Sequence, residues 1–150
     1  MTSISFYLLP SDAVQQRYLF ACKLIEKAYR SGYFCYVLTD TTEQSRLMDD
    51  LLWTFRAGSF IPHQLYTGDL PAIETVILIG SGNPPEAWQK IVINLSSRCP
   101  ENFRQAERIL EILDNNEAIK TVGRQRFRQY QAAGIKVVTH TINAGTDNDI

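Results

Sequence analysis

The sequence predicts an α/β domain: a mostly parallel sheet flanked by helices in a three-layer-like, Rossmann-like arrangement. Apolar runs and amphipathic stretches follow one another in a strand-helix-strand-helix order from the N-terminus, the order in which crossover helices join parallel strands. The length of 150 residues suits one domain with a sizeable core. The composition, 45% hydrophobic and 21% charged, is ordinary for a globular chain.

Ser3 to Leu9 (SISFYLL) reads as a buried strand. Pro10, Ser11 and Asp12 turn the chain, with Ser11 placed to cap the next helix. In that helix Val14, Tyr18, Ala21, Ile25 and Ala28 recur at helical spacing, and Ser31-Gly32 ends it. Phe34 to Leu38 is a second strand. Asp40 as cap, with Glu43 three residues on, opens a second helix reaching about Trp53. Phe60 to Ala72 holds Pro62, Gly68 and Pro71, and is expected to be mostly loop. Thr75 to Ile79 and Lys90 to Leu95 are strands, with a turn at Gly80 to Pro85 between them. Pro100 to Gln105 suits a helical turn. Arg108 to Leu113 (RILEIL) fits helix or strand equally by periodicity. Glu117 to Gly134 is a helix, and Ile135 to Ile142 a final strand. The expected domain is 1–142, and 143–150 reads as a flexible acidic tail.

The charge and cysteine content narrow the function. A formal net charge of -1 argues against bulk nucleic-acid binding, which needs a broad basic surface. Cys22, Cys35 and Cys99 are odd in number and widely spaced, which fits reduced thiols in the cytoplasm. No apolar run approaches a membrane span, and the N-terminus reads as no signal peptide.

No catalytic or cofactor pattern is legible. A dinucleotide site needs glycines after the first strand, and Pro10-Ser11-Asp12 has none. Gly80-Ser81-Gly82 runs into Asn83-Pro84-Pro85, and prolines remove the backbone donors a phosphate cradle uses. His63 and His140 are the only histidines, and no His/Cys/Asp/Glu grouping has metal-ligand spacing. No cofactor and no metal are expected.

Two stretches stand out instead. The last helix carries Lys120, Arg124, Arg126 and Arg128 against one acid, Glu117, too little for intrahelical pairing to account for its charge. Lys120, Arg124 and Arg128 fall four residues apart on one face with Phe127 beside them. A cationic row next to an aromatic suits an anionic partner with an apolar part. Arg126 projects toward Ile119, Val122 and Tyr130, at the edge of the core. The other stretch is Trp53 with Phe60, Ile61 and Pro62. It reads equally well as the closed end of a core or as an aromatic interface anchor.

FYLL at Phe6 to Leu9, AYRSG at Ala28 to Gly32, LLW at Leu51 to Trp53 and SFIPH at Ser59 to His63 occur in this order. They precede a helix of the form K-x3-R-x-R-[FY]-[RK]-x-Y-x3-G over Lys120 to Gly134. The set resembles the chi subunit of bacterial DNA polymerase III holoenzyme over about residues 1–142. The resemblance implies a non-catalytic replisome adaptor with an α/β fold lacking a nucleotide site. It implies a heterodimer with the psi subunit, which links to the clamp loader, and in some bacteria a helicase that competes with psi. It also implies binding of the acidic C-terminal tail of single-stranded DNA-binding protein. By position, Arg124 would clamp that tail's terminal carboxylate, and Lys120 and Arg128 would attract its acidic residues. Phe127, where the family has Tyr, and Thr139 would border the apolar pocket. Trp53, Phe60 and Pro62 match the psi or helicase surface. The alternative from another class is a small α/β enzyme that uses the basic helix to hold an anionic substrate.

Overall fold

The computed structural model describes residues 2–143 except positions 59 and 102, so the tail expected over 143–150 lies almost wholly outside the described residues. In chain order the elements are β1 (Ser3–Leu8), α1 (Val14–Arg30), β2 (Tyr36–Leu38), α2 (Thr42–Thr54), β3 (His63–Leu65) and β4 (Ile77–Gly80), followed by β5 (Ile91–Asn94), β6 (Arg108–Leu113), α3 (Glu117–Ala132) and β7 (Lys136–Thr141). Short 3-10 turns cover Glu86–Trp88 and Phe103–Gln105.

The seven strands form one sheet in the order β3-β4-β2-β5-β6-β1-β7. Every pairing is parallel, so the expected α/β class holds. Parallel strands need helices on both faces. On one face Phe20, Leu24 and Ile25 of α1 and Met48 and Leu52 of α2 pack on Val37, Ile79, Ile93 and Ile112. On the other, Tyr130 of α3, with Trp88, covers Ile4, Phe6, Tyr36, Val92 and Ile109. The alternation along β1 and β6 is what a two-sided core demands.

Three local expectations are corrected. Ser11 does not cap α1: the helix starts after Ala13 with no side-chain cap, and Ser11 Oγ accepts from Ala13 N–H at 3.0 Å. Asp40 does not cap α2, because the extended residue one position later takes the role. Thr41 Oγ1 accepts from Gln44 N–H at 3.1 Å, while Gln44 Oε1 accepts from Asp40 N–H at 2.7 Å. The Asp40 carboxylate instead accepts from Ser97 N–H at 2.9 and 3.0 Å. Phe34 lies outside β2, which begins at Tyr36. The stretch expected to be mostly loop is so, apart from the three residues of β3. Pro62 stands just ahead of it at the sheet edge, where a missing donor is tolerated, and its carbonyl accepts from Ile77 N–H at 2.9 Å.

The ambiguous run over Arg108–Leu113 is a strand, paired on both sides by β5 and β1. α3 opens on Asn116, whose Oδ1 accepts from Ala118 N–H at 3.0 Å and Ile119 N–H at 3.2 Å. It stops before Gly134, whose φ of +78° is the left-handed conformation glycine tolerates. Gly123 lets α3 approach β6, since a Cβ there would collide with the Leu113 side chain. The topology puts β3 and β7 at opposite edges, six interstrand steps apart, or about 29 Å at ~4.8 Å per step.

Candidate functional site

One candidate surface lies on α3 and β7. Arg126 is buried, its Nη2 3.0 Å from Glu111 Oε1. Its Nε donates to Glu111 at 3.1 and 3.2 Å, and its Nη1 donates to Ser97 O at 3.2 Å. Glu111 Oε2 also accepts from Tyr130 Oη at 2.7 Å and Asn94 Nδ2 at 3.0 Å. Burial first, then the adjacent Glu111 charge, raise the Tyr130 phenol far above its ordinary range, so it stays a neutral donor. This network fixes the rotation of α3. A step of two residues turns a helix by about 200°, so pointing Arg126 inward turns Arg124 and Arg128 outward.

Arg124 and Arg128 are exposed, and among the described residues neither has an ion-pair or hydrogen-bond partner. Lys120 differs. Its Nζ lies 3.2 Å from Glu117 Oε1 and donates to Asn115 Oδ1 at 3.0 Å. The one acid of the helix, Glu117, is thus engaged with Lys120, and among the described residues no intrahelical pair accounts for Arg124 or Arg128. Phe127 is half-buried, its ring centroid 5.4 Å from that of Phe6. Thr139 is exposed and pairs with Phe6 in the β1–β7 register, so Phe127 and Thr139 share one neighbour. The structure places these two on either side of Phe6 and sets Arg124 and Arg128 on the same helix as Phe127.

The second surface lies at the other edge. Trp53, in the last turn of α2, is 59% exposed, and Phe60 is 82% exposed. Pro62 is exposed while Ile61 between them is buried, so Ile61 pins the segment and its neighbours project. Trp53 is therefore no lid on the core; its inner edge rests on His63, with ring centroids 4.6 Å apart. Leu70 and Ile73, on the connection from β3 to β4, are also exposed large apolar residues.

Sequence reasoning passed over Glu111 because it sits within an apolar run. A lone carboxylate in RILEIL, with Arg126 on the inner face of the next helix, is the signal that could have found it. The fit for Leu70 and Ile73 is weaker: nothing in a loop's sequence distinguishes a displayed apolar residue from a packed one.

Other chemistry is thinly provided. Burial pushes the Cys22 and Cys35 thiols up to about 12, which keeps them protonated. Among the described residues no group of three or more His, Cys, Asp or Glu is placed to hold a metal ion. Among the described residues no helix is long and apolar enough to cross a membrane. A crevice of about 230 Å³ at the carboxyl ends of the strands includes Arg17, Asp40 and Arg126. Its polar groups are engaged within the chain: Arg17 donates to Ile112 O at 2.9 Å and Leu95 O at 3.2 Å.

The fold and the two surfaces define the class: a Rossmann-like parallel α/β domain that displays a basic face at one sheet edge and an aromatic face at the other. Its shape is similar to part of T4 UvsW, with a TM-score of 0.65 at 12% identity over 95% of this chain and 41% of that one. The family model for DNA polymerase III chi subunit, HolC, matches residues 1–138, and the chain belongs to this family. The DNA polymerase III subunit chi of Pseudomonas aeruginosa is 33% identical over 142 residues, covering 95% of this chain and 98% of that protein. Subunit chi of Escherichia coli is 26% identical over 157 residues, covering 94% and 99%. The fold and family carry the sequence reading of a DNA polymerase III accessory subunit.

Proposed function

We propose that the chain is a non-catalytic adaptor that docks two partners at opposite edges of its sheet. The α3–β7 edge takes the acidic C-terminal tail of single-stranded DNA-binding protein. The edge at α2 and β3 takes psi, or a helicase that competes with psi for the same aromatics. One observation carries this reading. Arg124 and Arg128, unpartnered among the described residues, stand on the helix that carries Phe127, which packs on Phe6 beside Thr139, while Trp53, Phe60 and Pro62 project from the far edge.

The chemistry suits each assignment. A guanidinium with no internal partner binds a carboxylate through two parallel, charge-assisted hydrogen bonds. Arg124 takes the terminal carboxylate in this arrangement, and Phe127 and Thr139 border the last apolar side chain. Arg128 and Lys120 draw in the acidic residues ahead of it, Lys120 more weakly because Glu117 already holds it. Ordering a short flexible peptide costs entropy, so the affinity is modest and on the order of micromolar. At the other edge, large rigid aromatics supply apolar area with little side-chain entropy to lose.

Calorimetry on two variants tests the division. Arg124→Ala abolishes binding of the tail peptide and leaves psi binding intact, whereas Trp53→Ala weakens psi binding and leaves the peptide affinity intact. An unchanged peptide affinity in Arg124→Ala removes the carboxylate assignment. Undiminished co-purification of psi with Trp53→Ala removes the other.

A further inference from the structure

The aromatic edge is organised around one buried histidine. His63 opens β3, and its side chain has no solvent exposure. Nδ1 lies 2.6 Å from Ile61 O. Nε2 lies 3.1 Å from the main-chain oxygen of Asp49 and 3.3 Å from its Oδ1. The two carbonyls and the carboxylate all accept. A neutral imidazole has one N–H and one lone pair, so one nitrogen would face an acceptor with no proton between them. The imidazolium has two N–H groups and satisfies both sides.

The positions of these acceptors connect the ring to the displayed residues. The Ile61 carbonyl belongs to the peptide that joins Ile61 to Pro62, so the hydrogen bond sets the plane of the peptide between Phe60 and Pro62. Asp49 and Trp53 are one turn apart on α2, and the Trp53 ring lies 54° from the plane of the imidazole. An indole in contact with a cationic ring gains electrostatically. Asp49 is the charged group that α2 presents to the ring. β4, paired with β3, contributes Ile77 opposite His63 and then Leu78 and Ile79, none of which titrates. One imidazole ring thus ties the loop to the helix at the point where Trp53, Phe60 and Pro62 emerge.

We propose that His63, doubly protonated, is a positioning residue for the Trp53–Phe60–Pro62 surface, so that binding at this edge follows the protonation of a single buried ring. The binding part rests on the assignment of this surface to psi. When the proton leaves, one nitrogen becomes an acceptor facing an acceptor. The ring then releases either Ile61 or Asp49, and the aromatics lose their fixed relation.

The test follows the His63 ring nitrogens, the Trp53 indole and the Phe60 ring by NMR in the intact protein from about pH 5.5 to 8.5, the range over which histidines titrate. Psi affinity is measured by calorimetry across the same range. Both His63 nitrogens are expected to carry protons at the acid end. The Trp53 and Phe60 signals move with the midpoint of the ring, and psi affinity falls about 10-fold through that midpoint, the effect of losing one charge-assisted hydrogen bond. His63→Asn, which has no titrating ring, abolishes the step. His140→Gln leaves it unchanged; His140 stacks on Tyr7 at the far edge. A singly protonated ring at the acid end, or Trp53 and Phe60 signals that ignore the titration, overturns the proposal. Moving signals with a flat psi affinity overturn its binding part. Absence of psi binding at every pH refutes the psi assignment, while the ring and aromatic signals still decide the positioning role.

Discussion

The two edges of this sheet display opposite chemistry and rest on foundations of unequal depth. At β7 the displayed groups are guanidiniums, and the helix that carries them is keyed to the core by Arg126 and Glu111, both almost fully buried. At β3 the displayed groups are apolar and uncharged: Trp53 stands on the last turn of α2, while Phe60 and Pro62 hang on the segment leading into a three-residue strand and one histidine. The contrast teaches where each surface is vulnerable. The basic face fails with the core beneath it, whereas the aromatic face can loosen while the core stays intact.

The largest effect is expected at Glu111. Glu111→Ala strands the buried Arg126 guanidinium and should cost about 3–5 kcal/mol of stability in urea unfolding, because a broken buried pair leaves an uncompensated charge. His63→Asn should cost only about 1–2 kcal/mol, the range of a lost hydrogen bond. If the two variants prove equally stable, the difference in depth between the edges is wrong.

Next comes Trp53. Trp53→Ala should weaken psi binding by about 2 kcal/mol, roughly 30-fold, as an interface anchor does. Thermal unfolding should shift little, because the side chain is mostly exposed. A large loss of stability would return Trp53 to the core and blur the distinction between the edges.

Salt sharpens the comparison further. Raising ionic strength from about 0.05 to 0.5 M should weaken the tail peptide about 10-fold through screening. Psi binding, anchored by uncharged side chains, should change less than about 2-fold. Equal sensitivity at both edges would mean that charge is not what separates them. The smallest effect is at Glu117. Glu117→Gln frees Lys120 from its ion pair and should tighten the peptide by about 2-fold in calorimetry, the scale of an exposed pair.

Much of this architecture is legible in the chain, and the gaps have physical causes. The order of strands and helices follows from apolar runs and helical periodicity, and Arg126 can be read as inward-facing from its spacing with Ile119, Val122 and Tyr130. The role of Arg108–Leu113 cannot be read locally, because a short apolar run becomes a strand only through its neighbours β5 and β1. β3 is hidden for the same reason: His63–Leu65 has little strand character of its own and pairs on one side, with β4. The caps at Ser11 and Asp40 miss by one or two positions: Ser11 accepts from Ala13 N–H in the turn ahead of its helix, and Thr41, next to Asp40, takes the capping role. At the candidate sites, the residue types are legible but their freedom is not. Nothing in the sequence separates the engaged Lys120 from the free Arg124.

The central claim is that the two edges act independently, about 29 Å apart by six strand spacings of ~4.8 Å. The most direct measurement is the affinity of the tail peptide of single-stranded DNA-binding protein for this chain alone and for its complex with saturating psi. The two values should agree within about 2-fold, which is about 0.4 kcal/mol of coupling. Competition, or a change of about 10-fold or more, would contradict the account and place both partners on one coupled surface.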